Sequence, residues 1–276
     1  MNDSRRTQVA WGAGALVIVV YTLLPVVWIV SLSFKPGDDL FNKHFWPSTW
    51  SLDNYETVFR SGLFVSALRN SIGISAIATL ISVVLATFTA YAIARLDFPG
   101  KRFILSVALA IAMFPVVSLV GPLFNMWRTL GLFDTWPGLI IPLVSFSLPL
   151  SIYTLSAFFR EIPWEMEQAA QVDGATAWQA FRKVIIPLAA PGVFTAAIIA
   201  FFACWNDLAF GISLTSTAQS RTAPPTLLTF VGESQFQSPI GPISAASVVV
   251  TIPVILIVLL FQRRIVAGLT SGAVKG

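Results

Sequence analysis

Charge is what this chain has least of. Only 11% of its 276 residues are Asp, Glu, Lys or Arg, against roughly 25% in a soluble domain, so its surface cannot be wetted as a water-soluble protein's must be. Cysteine occurs once and histidine once. A single thiol excludes an internal disulfide and a thiolate metal cluster. Lone His44 removes most metal and acid–base sites, and a loop histidine is its simplest role. Glycine is scattered without a period, which excludes a collagen-like chain, and apolar content is too high for disorder. Walker A and dinucleotide patterns are lacking, as is any extended hydrophilic stretch. If ATP energises this protein, a partner must supply the ATPase.

What is present is 56% hydrophobic sequence, arranged in helix-length runs. Crossing a hydrocarbon core of roughly 30 Å takes about 20 apolar residues, and six runs qualify: 11–34, 68–94, 103–126, 139–159, 192–214 and 245–261. Their continuous apolarity, without period-two alternation, argues against barrel strands. The expected fold class is an all-α integral membrane protein with six transmembrane helices, one transmembrane domain over 1–276. Arg5-Arg6 precedes the first run as in a signal peptide, but the run is too long and lacks a clean cleavage site, so it is expected to be an uncleaved span. A polar loop, 35–67, follows it. A short interfacial helix is expected at 52–59, and Trp46 and Trp50 suit an interface belt.

Net charge is +4. In a soluble protein that would suggest nucleic acid; in a membrane protein it reads as topology, and no nucleic-acid partner is expected. Six spans put both termini on one side. Eleven of the 17 basic residues fall on that side, among them Arg5, Arg6, Arg95, Lys101, Arg182, Lys183, Arg263 and Arg264, so both ends are expected in the cytoplasm.

The segment 160–190 is the most informative. Pro163 suits the first turn of a helix, Glu165 and Glu167 complement its positive end, and Gly174 can take the left-handed geometry that ends it. A second helix is expected over 175–185, with Trp178, Phe181 and Ile185 on one face, until Pro187 breaks it. Two short helices bent at a glycine make a knob that either plugs a partner's groove or lies on the headgroups.

Gln168-Ala169-Ala170, Gly174 and Val184-Ile185-Ile186-Pro187 match in spacing the E-A-A, three residues, Gly, nine residues, I-x-L-P pattern. This stretch resembles the EAA loop of permease subunits of bacterial ATP-binding cassette (ABC) importers. Asp173-Gly174-Ala175 and Phe181 resemble the sugar importers' longer form. Gln168 departs from the family's glutamate, with Glu165 and Glu167 lying just before it. Asn70-Ser71, Trp205-Asn206-Asp207-Leu208 and the tail 262–276 extend the likeness to the MalG-type carbohydrate permeases over nearly the whole chain.

The resemblance implies a type I ABC importer permease fold in the bacterial cytoplasmic membrane, forming half of a path for a carbohydrate, a disaccharide. It implies a cytoplasmic coupling loop at 160–190 whose partner-binding residues are Glu165, Glu167, Gln168, Ala169, Ala170, Asp173, Gly174, Phe181 and Pro187. It also implies a cytoplasmic tail, 262–276, reaching between ATPase subunits. The implied partners are a second permease, two ATPase subunits that carry ATP and Mg, and an extracytoplasmic solute-binding protein. This chain itself is expected to bind no cofactor or metal and to catalyse nothing.

Polar or helix-breaking residues inside spans are the path candidates, because unpaired polar groups facing lipid are costly. Met113-Phe114-Pro115, Gly121-Pro122 and Asn125 interrupt the third run, and Pro142, Ser145, Ser147 and Pro149 the fourth. Trp205, Asn206 and Asp207 lie in the fifth. An aromatic platform beside hydrogen-bonding groups suits a sugar, while Asp207 equally suits a local cap. An ion-coupled transporter or channel would want several buried charges and inverted repeats, and a membrane enzyme would need clustered catalytic groups; neither pattern is evident.

Overall fold

The computed structural model describes residues 5–40, 42, 44–228 and 239–271, of which 5, 6, 8 and 262–271 through their backbone alone. In chain order the helices are α1 (Arg5–Ser33), α2 (Asp53–Arg60), α3 (Gly62–Arg95), α4 (Lys101–Ala112), α5 (Val116–Leu130) and α6 (Trp136–Glu161). They continue with α7 (Trp164–Val172), α8 (Ala177–Ala180), a π turn (Phe181–Ile185), α9 (Ile186–Trp205), α10 (Ala209–Leu214), α11 (Ala223–Leu228) and α12 (Ile240–Ser271). Five stretches are long and apolar enough to cross a membrane, or six if α4 and α5 form one broken span. The chain divides into two compact units, 1–65 with 226–253 and 66–225 with 254–276.

In the first unit, every side chain of α1 from 9 to 26 is exposed, a Val- and Leu-rich surface that only lipid or another chain can cover. The loop behind it is built, not loose. Lys35 is fully buried: its Nζ donates to the His44 carbonyl at 2.6 Å and sits 5.1 Å from the Trp28 ring centroid. Asn54, on the expected interfacial helix α2, donates to the carbonyls of Ser33 and Lys35 at 3.1 and 2.7 Å. Hydrogen bonds from the Ser48 amide, Asn42 and the Ser48 hydroxyl hold the Asp39 carboxyl below the usual carboxylate range.

In the second unit, α3, α6 and α9 pack around two apolar clusters. One joins Ala86, Ala90 and Ile93 of α3 to Leu155 and Phe159 of α6 and to Phe181, Ile185 and Ala189. The other joins Ile74 and Ala78 to Trp127, Leu139, Leu143, Phe210 and Leu214. Alanines let these helices approach closely, and Ser82 and Ser147 hydrogen-bond between α3 and α6 at 2.7 Å.

The third run is interrupted where expected, and two other expectations are corrected. In the third run α4 and α5 meet at 87°. Pro115 lacks an N–H and forces its predecessor out of the helical region, so the break falls at Met113-Phe114-Pro115. The fourth run, by contrast, is unbroken by Pro142 and Pro149. Pro142 leaves the Gly138 carbonyl without its helical donor, and Trp127 Nε1–H fills that place at 2.6 Å. Pro187 does not end the second loop helix either. The Ile186 N–H reaches back five residues to the Phe181 carbonyl, and this π turn carries the chain into α9 with Pro187 in its first turn. The fifth span therefore starts near Ala177 and ends at Trp205, earlier than expected at both ends.

Candidate coupling loop and translocation path

The bent loop is fixed by local hydrogen bonds. Pro163 caps α7 in extended geometry, and Glu165 and Glu167 fall in the first turn, where carboxylates favour the helix dipole. At the far end Gly174 takes φ +87°, its N–H donates to the Gln171 carbonyl at 3.0 Å, and the Ala175 N–H donates to the Ala170 carbonyl at 2.9 Å. That pair of bonds is the Schellman stop, which needs a residue at ease with positive φ. The next helix begins at once. The Gln179 N–H donates to Thr176 Oγ1 at 3.2 Å and the Thr176 N–H to Gln179 Oε1 at 2.9 Å, a reciprocal capping box.

Of the residues expected to meet a partner, Glu165, Gln168, Ala169, Asp173, Gly174 and Pro187 are exposed, and Ala170 is half-buried. Val172, beside them, is 86% exposed. Glu167 and Phe181 face the other way, at 6% and 5% exposure. Tyr91 Oη of α3 donates to Glu167 Oε1 at 2.5 Å, and the Tyr91 and Phe181 rings lie 4.6 Å apart. Arg95 Nη2 donates to the Ile162 carbonyl at 2.5 Å, and its guanidinium lies 4.6 Å from the Trp164 ring centroid. Sequence reasoning missed Tyr91 and Arg95. Their signal was the recurrence of Phe88, Tyr91 and Arg95 at helical spacing, on a helix far away in sequence.

The path candidates divide. Asn125, Ser145 and Asn206 are exposed; Ser145 Oγ donates to the Ile141 carbonyl and Asn206 Nδ2 to the Phe202 carbonyl, both at 2.9 Å. Ser147 and Trp205 are corrected from the path to the core of this chain's own bundle. They are 5% and 2% exposed, Ser147 is bonded to Ser82, and Trp205 is stacked on Phe201 with centroids 5.5 Å apart. Apolar bulk and interhelical hydrogen bonding, rather than a water-filled lining, explain them. Asp207, the residue before the Leu208 N-cap, holds the start of α10 by accepting from the Gly211 N–H at 2.9 Å and the Phe210 N–H at 3.4 Å. Among the described residues no group of three His, Cys, Asp or Glu could hold a metal ion. The side chains of 262–271 and all of 272–276 lie outside the described residues, and with them the expected tail contact.

Toward the other end of α3 lies a polar staple that the sequence did not announce. Asp134 sits between α5 and α6 at φ +59°. Its carboxylate accepts from the amides of Ser216 and Thr217 at 2.9 and 3.1 Å and from the hydroxyls of Thr217 and Ser220 at 2.6 Å. Burial pushes this carboxyl up, but those hydrogen bonds outweigh it and leave the pKa below the usual range. Asn70 Nδ2 donates to the carbonyls of Ala218 and Arg221, both at 3.0 Å, while its Oδ1 accepts from Trp136 Nε1 at 3.2 Å.

Residues 82–271 match the family described as binding-protein-dependent transport system inner membrane component. Among relatives, the trehalose transport system permease protein SugB of Mycobacterium tuberculosis is 59% identical over 98% of this chain and 99% of its own. The trehalose/maltose transport system permease protein MalG of Thermococcus litoralis is 36% identical over 95% of each. A bacterial ABC transporter that imports the acidic polysaccharide alginate has the same fold, with a TM-score of 0.79 at 23% identity over 95% of this chain and 99% of that one. The chain belongs to the inner membrane components of binding-protein-dependent transport systems, as a MalG-type carbohydrate permease subunit of the ABC importer class.

Proposed function

We propose that this chain lines half of a disaccharide path, with a second permease forming the other half, and that trehalose is the sugar carried. Two ATPase subunits, which hold ATP and Mg, drive the cycle from the cytoplasm, and an extracytoplasmic binding protein delivers the sugar. The bent loop over 160–190 is the docking point for an ATPase subunit, through Glu165, Gln168, Ala169, Ala170, Asp173 and Gly174, with Glu167 and Phe181 holding it from behind. Asn125, Ser145 and Asn206 face the path, and Asp207 shapes it by fixing α10. Both termini lie in the cytoplasm, a reading supported by the excess of Lys and Arg on that side.

The observation that carries this reading is the loop itself: a knob with independent stop and start signals, exposed on one face and fastened to α3 by the other. Its exposed face mixes apolar Met166, Val172 and Trp178 with Glu165, Gln168 and Asp173, a mixture suited to a partner's groove, while Glu167 is turned inward onto α3. Rigid displacement of such a knob can tilt α6 and α9, which it joins, and so alternate access. Trehalose is the transport substrate named for the SugB relative. The test is uptake by proteoliposomes holding both permeases, with and without the ATPase subunits and binding protein, using labelled trehalose, maltose and lactose. ATP-dependent accumulation of trehalose is expected; preference for another sugar would overturn the substrate, and accumulation without the ATPase would overturn the mechanism.

A further inference from the structure

One stripe of α3 carries both arms of the bent loop. Phe88 stacks on Trp178, with centroids 6.2 Å apart and planes 17° apart, and packs on Phe181 at 5.7 Å. Tyr91, three residues on, holds Phe181 by its ring and Glu167 by its hydroxyl. Arg95, a turn further, holds the joint between α6 and α7 through the Ile162 carbonyl and covers Trp164. The arm before Gly174 and the arm after it are thus fastened to the same helix.

The chemistry of this fastening is expensive for a purely structural contact. Arg95 and Glu167 are each 6% exposed, and Arg95 Nε and Glu167 Oε2 have no hydrogen-bond partner. Well-packed apolar side chains would generally stabilise such a site at least as well as partly satisfied charges. What directional bonds give, and apolar packing does not, is a fixed orientation.

We propose that Tyr91 and Arg95 are positioning residues of the transport cycle. With Glu167 they clamp the loop to α3, so that a push on the loop moves α3 with it instead of being absorbed by bending at the loop. This rests on the reading of the loop as the ATPase docking point.

The test is sugar taken up per ATP hydrolysed by the complete importer in proteoliposomes. Tyr91→Phe removes one oxygen and keeps the ring contacts with Phe181 and Phe159. Losing a hydrogen bond to a carboxylate shifts the balance between held and released loop by roughly 10-fold. A several-fold fall in uptake per ATP is expected, with the ATPase content of the purified complex unchanged. Arg95→Lys keeps the charge but loses the planar fork that both stacks and donates, and is expected to lower the same ratio. A merely structural role would lower thermal stability and leave the ratio intact, so wild-type ratios in both variants overturn the clamp. Asp173→Lys, on the exposed corner, separates the two ideas. If it strips ATPase subunits from the complex while Tyr91→Phe and Arg95→Lys both keep a wild-type ratio, the clamp alone fails; if the subunits stay bound, the docking reading fails.

Discussion

Replacing Gly174 perturbs the bend of the loop without touching any neighbour. Its φ is +87°, and a Cβ built there meets nothing within 4 Å, so a substitution acts through the backbone alone. An L-residue in left-handed geometry costs roughly 1–2 kcal/mol, with Asn the most tolerant and β-branched residues the least. For Ala that is a bias of roughly 5- to 30-fold against the Schellman stop, since 1.4 kcal/mol is about tenfold. The expected order of uptake per ATP in proteoliposomes is Gly174→Asn near wild type, Gly174→Ala lower and Gly174→Val lowest. Protease nicking between α7 and α8 should rise in the same order, while the helical bundle keeps its melting temperature. Equal uptake in all three variants, or Asn as harmful as Val, would refute the claim that the left-handed bend is what the loop needs.

Gly138→Ala places a Cβ 2.0 Å from the Leu132 carbonyl oxygen and 3.1 Å from the Trp127 ring. Overpacking against backbone costs roughly 1–3 kcal/mol or more, so a clear fall in thermal stability is expected in detergent, with Gly121→Ala, which meets nothing, as the neutral comparison. Asp134→Asn keeps tolerance of positive φ but loses the charge that four hydrogen bonds favour. Because the folded carboxyl titrates below the ordinary value of 3.8, its contribution is whole above that pH and is lost as acid carries it through the folded pKa. The melting-temperature gap to wild type should therefore be steady at neutral pH and close below about pH 4. Asp207→Ala should cost about 1 kcal/mol of stability by leaving the Phe210 and Gly211 N–H groups without their acceptor, and Asp207→Asn, which keeps an amide oxygen there, should restore part of it; equal losses in thermal melts would refute this role. Asn206→Ala should alter sugar uptake with no loss of complex assembly, and wild-type uptake would place Asn206 off the path.

Hydropathy made the spans legible because lipid demands long apolar helices from any chain that crosses it. Met113-Phe114-Pro115 even marked where α4 and α5 part. Proline was a poor guide elsewhere: whether the carbonyl it leaves unpaired finds another donor is a tertiary fact. Trp127 supplies one for Gly138, and a π turn carries the chain past Pro187. The loop's stop at Gly174 was visible in its own residues. The inward turn of Glu167 was not, because its partner Tyr91 is 76 positions away. Trp205 and Ser147 invited a path role by residue type, yet type does not say which side of a helix faces the bundle. Asp134 drew no attention because its bonding partners lie at position 214 and beyond.

The docking of the loop on a separate ATPase is tested most directly by cross-linking. Cys204 is buried at 5% exposure, so Gln168→Cys in this chain adds an exposed thiol against a quiet background. Treated with a short heterobifunctional reagent in native membranes, it should yield an adduct of this chain with the ATPase subunit, and Asn206→Cys should not. An adduct from Asn206→Cys and none from Gln168→Cys would contradict the account.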